Sequence, residues 1–120
     1  MPLRRSSVAT AKAELFKCLA HPIRVSVLEL LVAGERPVGE LAGELGLEMS
    51  HLSQQLGVLR RGQVVTARRV GTTVLYSLRD PRLSQLLSVA RQLLVTGLQD
   101  SGALLTDLES ETTAFRPVGP

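Results

Sequence analysis

The 120-residue sequence holds a single cysteine, Cys18, and no tryptophan. One thiol excludes an intramolecular disulfide framework and any zinc site built only from cysteines of one chain. The aromatic residues are Phe16, Tyr76 and Phe115, too few for a surface that grips single-stranded nucleic acid by stacking bases on rings. Two histidines, the one cysteine and scattered carboxylates offer no catalytic triad, phosphate loop or metal motif, so the chain is not read as an enzyme. It lacks an apolar run long enough to cross a bilayer, and nothing behind Arg4 and Arg5 resembles a signal peptide. The expected compartment is therefore the cytoplasm, with no membrane partner.

What remains is 44% hydrophobic and 21% charged, the balance of one ordinary globular domain. Residues 1–8 read as a flexible N-terminal arm, 9–108 as the folded domain, and 109–120 as a disordered tail. A first helix is expected over 9–20, with Leu15, Phe16 and Leu19 on one stripe. His21 and Pro22 then reset the chain, because the residue before proline avoids helical angles while proline suits a first helical turn. Ile23, Val27, Leu30 and Leu31 repeat at helical spacing toward Gly34. Arg36-Pro37 reads as a short connection or a one-bridge strand. Two further helices follow, over 38–45 and 49–61, joined by a tight turn at Gly46. Leu41, Ala42 and Leu45 face inward on the first, and Leu52, Leu56 and Leu59 on the second. This is a helix-turn-helix pattern.

The β-branched stretches 64–70 and 73–78, separated by Gly71-Thr72, read as a hairpin with Arg68 and Arg69 at its tip. A helix-turn-helix followed by a basic hairpin predicts a winged helix: mainly α, about five helices, and a two- to three-stranded antiparallel sheet. Asp80 as N-cap and Pro81 as first residue are expected to start the last helix. Its apolar stripe of Leu83, Leu86, Leu87, Ala90, Leu93, Leu94 and Leu98 is broader than a small core covers. Gly97 and the segment 100–102 are expected to interrupt it before a short turn at 104–108.

The formal charge of +3 says little as a total. Along the chain it divides into zero over residues 1–48, +6 over 49–91, and −3 over 92–120. The positive block holds Arg60, Arg61, Arg68, Arg69, Arg79, Arg82 and Arg91 against Asp80 alone. Arginine accounts for 12 of the 14 cations, and its planar fork suits phosphates and base edges better than the point charge of lysine. A block of cations on a helix-turn-helix and its wing points to double-stranded DNA.

Between Leu15 and Leu78 the sequence resembles the ArsR/SmtB family of winged-helix repressors. The motifs that carry the resemblance are Leu-Ala-His-Pro-Ile-Arg at 19–24 and Glu-Leu-Ala-Gly-Glu-Leu-Gly-Leu at 40–47, then Leu-Ser-Gln-Gln-Leu-Gly-Val-Leu-Arg at 52–60 and the Arg-Arg hairpin ending Tyr-Ser-Leu at 76–78. The resemblance implies a homodimer joined through the first and last helices, with Leu15, Leu83, Leu86, Leu87, Ala90 and Leu94 at the interface. Each protomer would place its recognition helix in the major groove at one half of an inverted repeat.

On the 49–61 helix, His51, Gln54 and Gln55 are expected at base edges, where glutamine can pair bidentately with adenine. Ser50, Ser53, Arg60 and Arg61 are expected at phosphates, and Arg68 and Arg69 at phosphates or the minor groove. Two positions depart from the family pattern. Glu48 stands where a capping Ser or Thr is usual, and Gly62-Gln63 replaces Ala-Gly, so either the helix ends a residue early or Gln63 takes a left-handed conformation. Where thiolate sensors of the family carry cysteines this chain has Pro37, Gly39 and Ala42, and its last helix lacks the histidine of the other sensor class. No cofactor is expected, and regulation is left to an effector or co-regulator protein, a small molecule or control of expression. One non-standard set, Glu14, Cys18 and His21, offers ligands for weak divalent-metal binding, although Cys18 also suits a buried apolar position and His21 a helix cap. The competing class is a winged helix that binds an acidic protein partner through its arginines.

Overall fold

The computed structural model describes residues 3–98, with the side chains of residues 3–6 excepted. The expected turn at 104–108 and tail at 109–120 lie outside the described residues. The chain divides into two units at the step from Asp80 to Pro81.

The first unit contains α1 (Leu3–Leu19), α2 (Pro22–Leu31), β1 (Arg36–Pro37), α3 (Val38–Leu45), α4 (Met49–Arg61), β2 (Val65–Val70) and β3 (Thr73–Leu78). α1 begins at Leu3 rather than at residue 9, so the helix takes in most of the stretch expected as an arm. No proline or glycine stands between Pro2 and Pro22 to stop it. His21 resets the chain as expected: its backbone is extended and its Nδ1 accepts the Ile23 amide at 3.1 Å, capping α2.

The core gathers Val27, Leu28, Leu30 and Leu31 of α2, Leu41 and Ala42 of α3, Leu52, Leu56 and Leu59 of α4, and Val64 and Val65 at the foot of the hairpin. Among the described residues, Leu19 is what α1 adds to it. Each fully buried leucine contributes about 1.5–3 kcal/mol of transfer free energy, so these helix faces decide how the helices stack. Leu28, fully buried, lies beside the expected α2 stripe, while Ile23 is half-buried.

The sheet has three antiparallel strands in the order β1-β3-β2. β1 pairs Arg36 with Tyr76 and Pro37 with Leu75, and the hairpin pairs residues from Val65 with Leu78 to Val70 with Thr73. Arg68 and Arg69 therefore stand opposite Leu75 and Val74 within β2, not at the hairpin tip. As neighbours on a strand they face opposite sides of the sheet.

α3 and α4 end in the same hydrogen-bond pattern. After α3, the Leu47 amide reaches back to Ala42 at 3.0 Å and Gly46 to Gly43 at 3.3 Å, with Gly46 left-handed at φ 63°. After α4, Val64 reaches Leu59 at 2.9 Å and Gln63 reaches Arg60 at 2.9 Å, with Gln63 left-handed at φ 59°. This ending satisfies the last carbonyls of a helix and normally uses glycine at the left-handed site. Of the two outcomes expected for Gly62-Gln63, the left-handed glutamine is the one adopted. Gly62 is required for a different reason. A Cβ there would stand 2.5 Å from the Cys18 Sγ, so the absence of a side chain lets α1 close on the end of α4.

The second unit carries α5 (Arg82–Leu98). It begins just after Pro81, whose carbonyl accepts both the amide of Ser84 at 3.1 Å and its hydroxyl at 2.8 Å. Gly97 lies inside the helix and does not interrupt it. No residue of α5 is buried, and no described helix is long and apolar enough to cross a membrane.

These helix ends predict opposite effects for adjacent substitutions. Gln63→Gly relieves left-handed strain and stabilises the chain by up to about 1 kcal/mol. Gly62→Ala meets Cys18 and destabilises it by about 1–3 kcal/mol, with partial recovery when Cys18→Ala is added. Urea denaturation midpoints of the four chains check the order.

Candidate nucleic-acid interface

The geometry of α4 follows from its buried face. Leu52, Leu56 and Leu59 fix one side inward, so at about 100° per residue the opposite side carries Ser50, Gln54, Gly57 and Arg61, flanked by His51 and Ser53. Ser50, His51, Ser53, Gln54, Arg60 and Arg61 are all exposed. None of these side chains has a hydrogen-bond or ion-pair partner among the described residues. The Arg61 guanidinium folds back along this side, with Nη1 3.2 Å from where a Gly57 Cβ would stand. Glu48 occupies the N-cap position of α4 without a side-chain bond to it, as expected from its departure from the family pattern. The first amides of α4 thus have no side-chain acceptor at the cap.

Gln55 is placed differently from the expectation. It is half-buried, and its Oε1 accepts from Arg24 Nη1 at 3.0 Å. On the helical wheel it lies only about 40° from Leu59, a signal that was present in the spacing. It therefore turns toward α2 and does not join the outward row of Ser50, Gln54 and Arg61.

The two wing arginines also separate. Arg68 makes a two-pronged ion pair with Glu35, Nε to Oε2 at 2.7 Å and Nη2 to Oε1 at 2.8 Å. That contact holds the Glu35 carboxyl below its ordinary range and raises the Arg68 guanidinium. Arg69 is exposed and unpaired among the described residues. Nearer the core, Arg36 bridges Glu40 at 3.2 Å and Glu44, which ties β1 to α3 and pushes the arginine further up. Part of the charge block read from the sequence is thus spent inside the protein. Glu35 was missed because it is 33 residues from Arg68 and only the hairpin register brings them together.

Glu14, Cys18 and His21 do not assemble. The Cys18 Sγ points to the Val58 carbonyl, donating at 3.7 Å, and burial pushes its thiol up against a smaller downward pull from Arg24. His21 spends Nδ1 on the α2 cap. Among the described residues no group of three His, Cys, Asp or Glu side chains is placed to hold a metal ion.

Of the residues expected at a dimer interface, Leu15, Ala90 and Leu94 are exposed and Leu83, Leu86 and Leu87 half-buried. Also exposed are Val8 and Phe16 on α1, each at 56%, and Val89 and Leu93 on α5. At 70%, Leu93 is the most exposed large apolar side chain among the described residues.

Comparison with known proteins gives a consistent picture. A helix-turn-helix domain model matches residues 19–68. The HTH-type transcriptional regulator Rv0081 of Mycobacterium tuberculosis is 54% identical over 104 residues, covering 86% of this chain and 91% of that protein. Its crystal structure aligns with a TM-score of 0.72 over 84% of this chain and 97% of that one. The biofilm growth-associated repressor of Xylella fastidiosa is 41% identical over 80 residues, covering 67% and 70% of the two chains. A homodimeric winged helix-turn-helix DNA-binding domain from Mycobacterium bovis, described as a possible ArsR-family regulator, aligns with a TM-score of 0.75 at 28% identity over 83% and 93%.

The Glu35–Arg68 pair predicts a measurable electrostatic effect. Because the folded-state pKa of Glu35 is lowered, the pair is fully present above the ordinary carboxylate range and is lost as pH falls through the depressed value. At neutral pH, Glu35→Gln frees Arg68 and removes a negative charge. Fluorescence anisotropy on random duplex should show tighter binding, with the slope of log affinity against log salt steeper by about 0.9 for each Arg68 that reaches a phosphate.

Proposed function

The chain belongs to the ArsR/SmtB family of winged helix-turn-helix transcriptional regulators, and from that premise we propose that it is a cytoplasmic repressor that binds an inverted DNA repeat as a homodimer. In this reading α4 lies in the major groove. His51 and Gln54 meet base edges, while Ser50, Ser53, Arg60 and Arg61 meet phosphates around them. The wing contributes Arg69, whereas Arg68 is held back by Glu35. One observation carries the reading: the face of α4 opposite its buried leucines presents only polar and cationic side chains, none with a partner among the described residues.

A second copy is proposed to cover the apolar residues of α5, since leaving Leu93 and Leu94 in water forgoes the free energy of their burial. A closed twofold pair would also present two recognition helices to two half-sites. The commitments of Cys18 and His21 support regulation by something other than a metal held with Glu14.

Selection of bound duplexes from a random pool tests the proposal. Recovery of an inverted repeat with half-sites about one helical turn apart is the expected result. Arg69→Ala and Arg61→Ala each remove two phosphate contacts per dimer and should each lower the salt slope by about 1.8 while leaving the selected sequence unchanged. A pool that yields no enriched sequence contradicts the DNA reading and favours a module that binds an acidic protein.

A further inference from the structure

Arg24 lies in α2, outside every group of residues so far assigned to DNA. Its guanidinium is half-buried and joins three structural pieces. Nε donates to the Cys18 carbonyl at 2.5 Å and Nη2 to the Lys17 carbonyl at 3.2 Å, both in the last turns of α1. Nη1 donates to Gln55 Oε1 of α4 at 3.0 Å. The carbonyls at a helix C-terminus lack partners within the helix and carry partial negative charge, so a cation there is doubly favoured. Only a planar fork reaches two carbonyls and a side-chain amide at once, which the single point charge of lysine cannot do.

The seam that Arg24 spans is not filled by apolar packing. Between α1 and α4 runs an open groove of about 670 Å³, with Leu15, Cys18, Arg24 and Val58 among its lining residues. Leu19 is the only described α1 residue buried in the core. With so little packing along this seam, polar links have a large share in setting how α1 lies against α4. Among the described residues these links include Arg24, which runs from the α1 carbonyls to Gln55, and the longer Cys18 to Val58 contact at 3.7 Å.

We propose that Arg24 is a positioning residue for DNA reading, which sets the presentation of α4 by fastening Gln55 to the end of α1. Gln55 then acts through Arg24 and not through a base. The inference rests on the reading that α4 is the recognition helix. It has a consequence for the dimer: α1 carries the exposed Val8, Leu15 and Phe16, so whatever seats on those residues is connected to the DNA-reading face in part through the Arg24 guanidinium.

The test compares affinity for the selected duplex with affinity for random duplex. Wild type is set beside Arg24→Lys, Gln55→Leu, Gln55→Glu and the Arg24→Lys/Gln55→Leu double variant. Arg24→Lys and Gln55→Leu should each lower the ratio roughly ten-fold, and the double variant no further than either single, because both remove one charge-assisted bond. The loss should spread over all positions of the half-site. Gln55→Glu keeps an acceptor for Arg24 and should keep the ratio. Thermal melts accompany each chain, and if Arg24→Lys does not fold, the contrast between Gln55→Leu and Gln55→Glu decides. An unchanged ratio in folded Arg24→Lys, additive losses, or a Gln55→Leu loss confined to one base pair overturns the proposal. Wild type that fails to discriminate overturns the recognition-helix premise itself, a result distinct from normal discrimination that the variants leave intact.

Discussion

Burial of the leucine face of α4 is the constraint on which the rest of the molecule depends. Leu52, Leu56 and Leu59 are each no more than 1% exposed, and they lie against the α2 leucines and the foot of the hairpin. Three buried leucines on 13 residues of helix fix rotation about the helix axis, because turning the helix would expose several kcal/mol of apolar surface. Everything the opposite face can do follows from that rotation. The polar row from Ser50 to Arg61 is outward because the leucines are inward, and the ending through Gln63 and Val64 starts the wing at a set angle to the same helix.

Electrostatics refine this arrangement. The cations on the recognition helix and wing form one block in the sequence, but in three dimensions they take different roles. Arg60, Arg61 and Arg69 stand in solvent and can exchange water for phosphate. Arg68 braces the wing against the α2–β1 connection through Glu35, and Arg36 braces β1 against α3. An exposed arginine bound to carboxylate in this way contributes little to stability, yet it is not available to DNA without breaking its pair. The face proposed to meet a duplex is thus smaller and more sharply placed than the count of arginines implies.

Helices, hairpin and core were legible in the sequence because each rests on a short-range pattern: leucines at helical spacing, proline at helix starts, glycine at Gly46, β-branched runs around Gly71. Less legible were features created by contacts between distant residues. Pairing of Glu35 with Arg68 depends on the hairpin register, and the bond from Arg24 to Gln55 depends on how α2 crosses α4. The early start of α1 is a milder case, in which polar residues near the N-terminus read as an arm although nothing among them breaks a helix. Gln55 shows the limit most clearly. Its residue type suits base reading, but its angular position beside Leu59 turns it toward Arg24.

In the proposed mode of binding, the exposed face of α4 reads base sequence while the arginines around it supply affinity without sequence. A chain carrying His51→Ala and Gln54→Ala tests it most directly, by titration of selected and random duplex over a range of salt. Preference for the selected duplex should fall roughly ten-fold or more while the salt slope on random duplex stays unchanged. Retained preference with a reduced slope would contradict it.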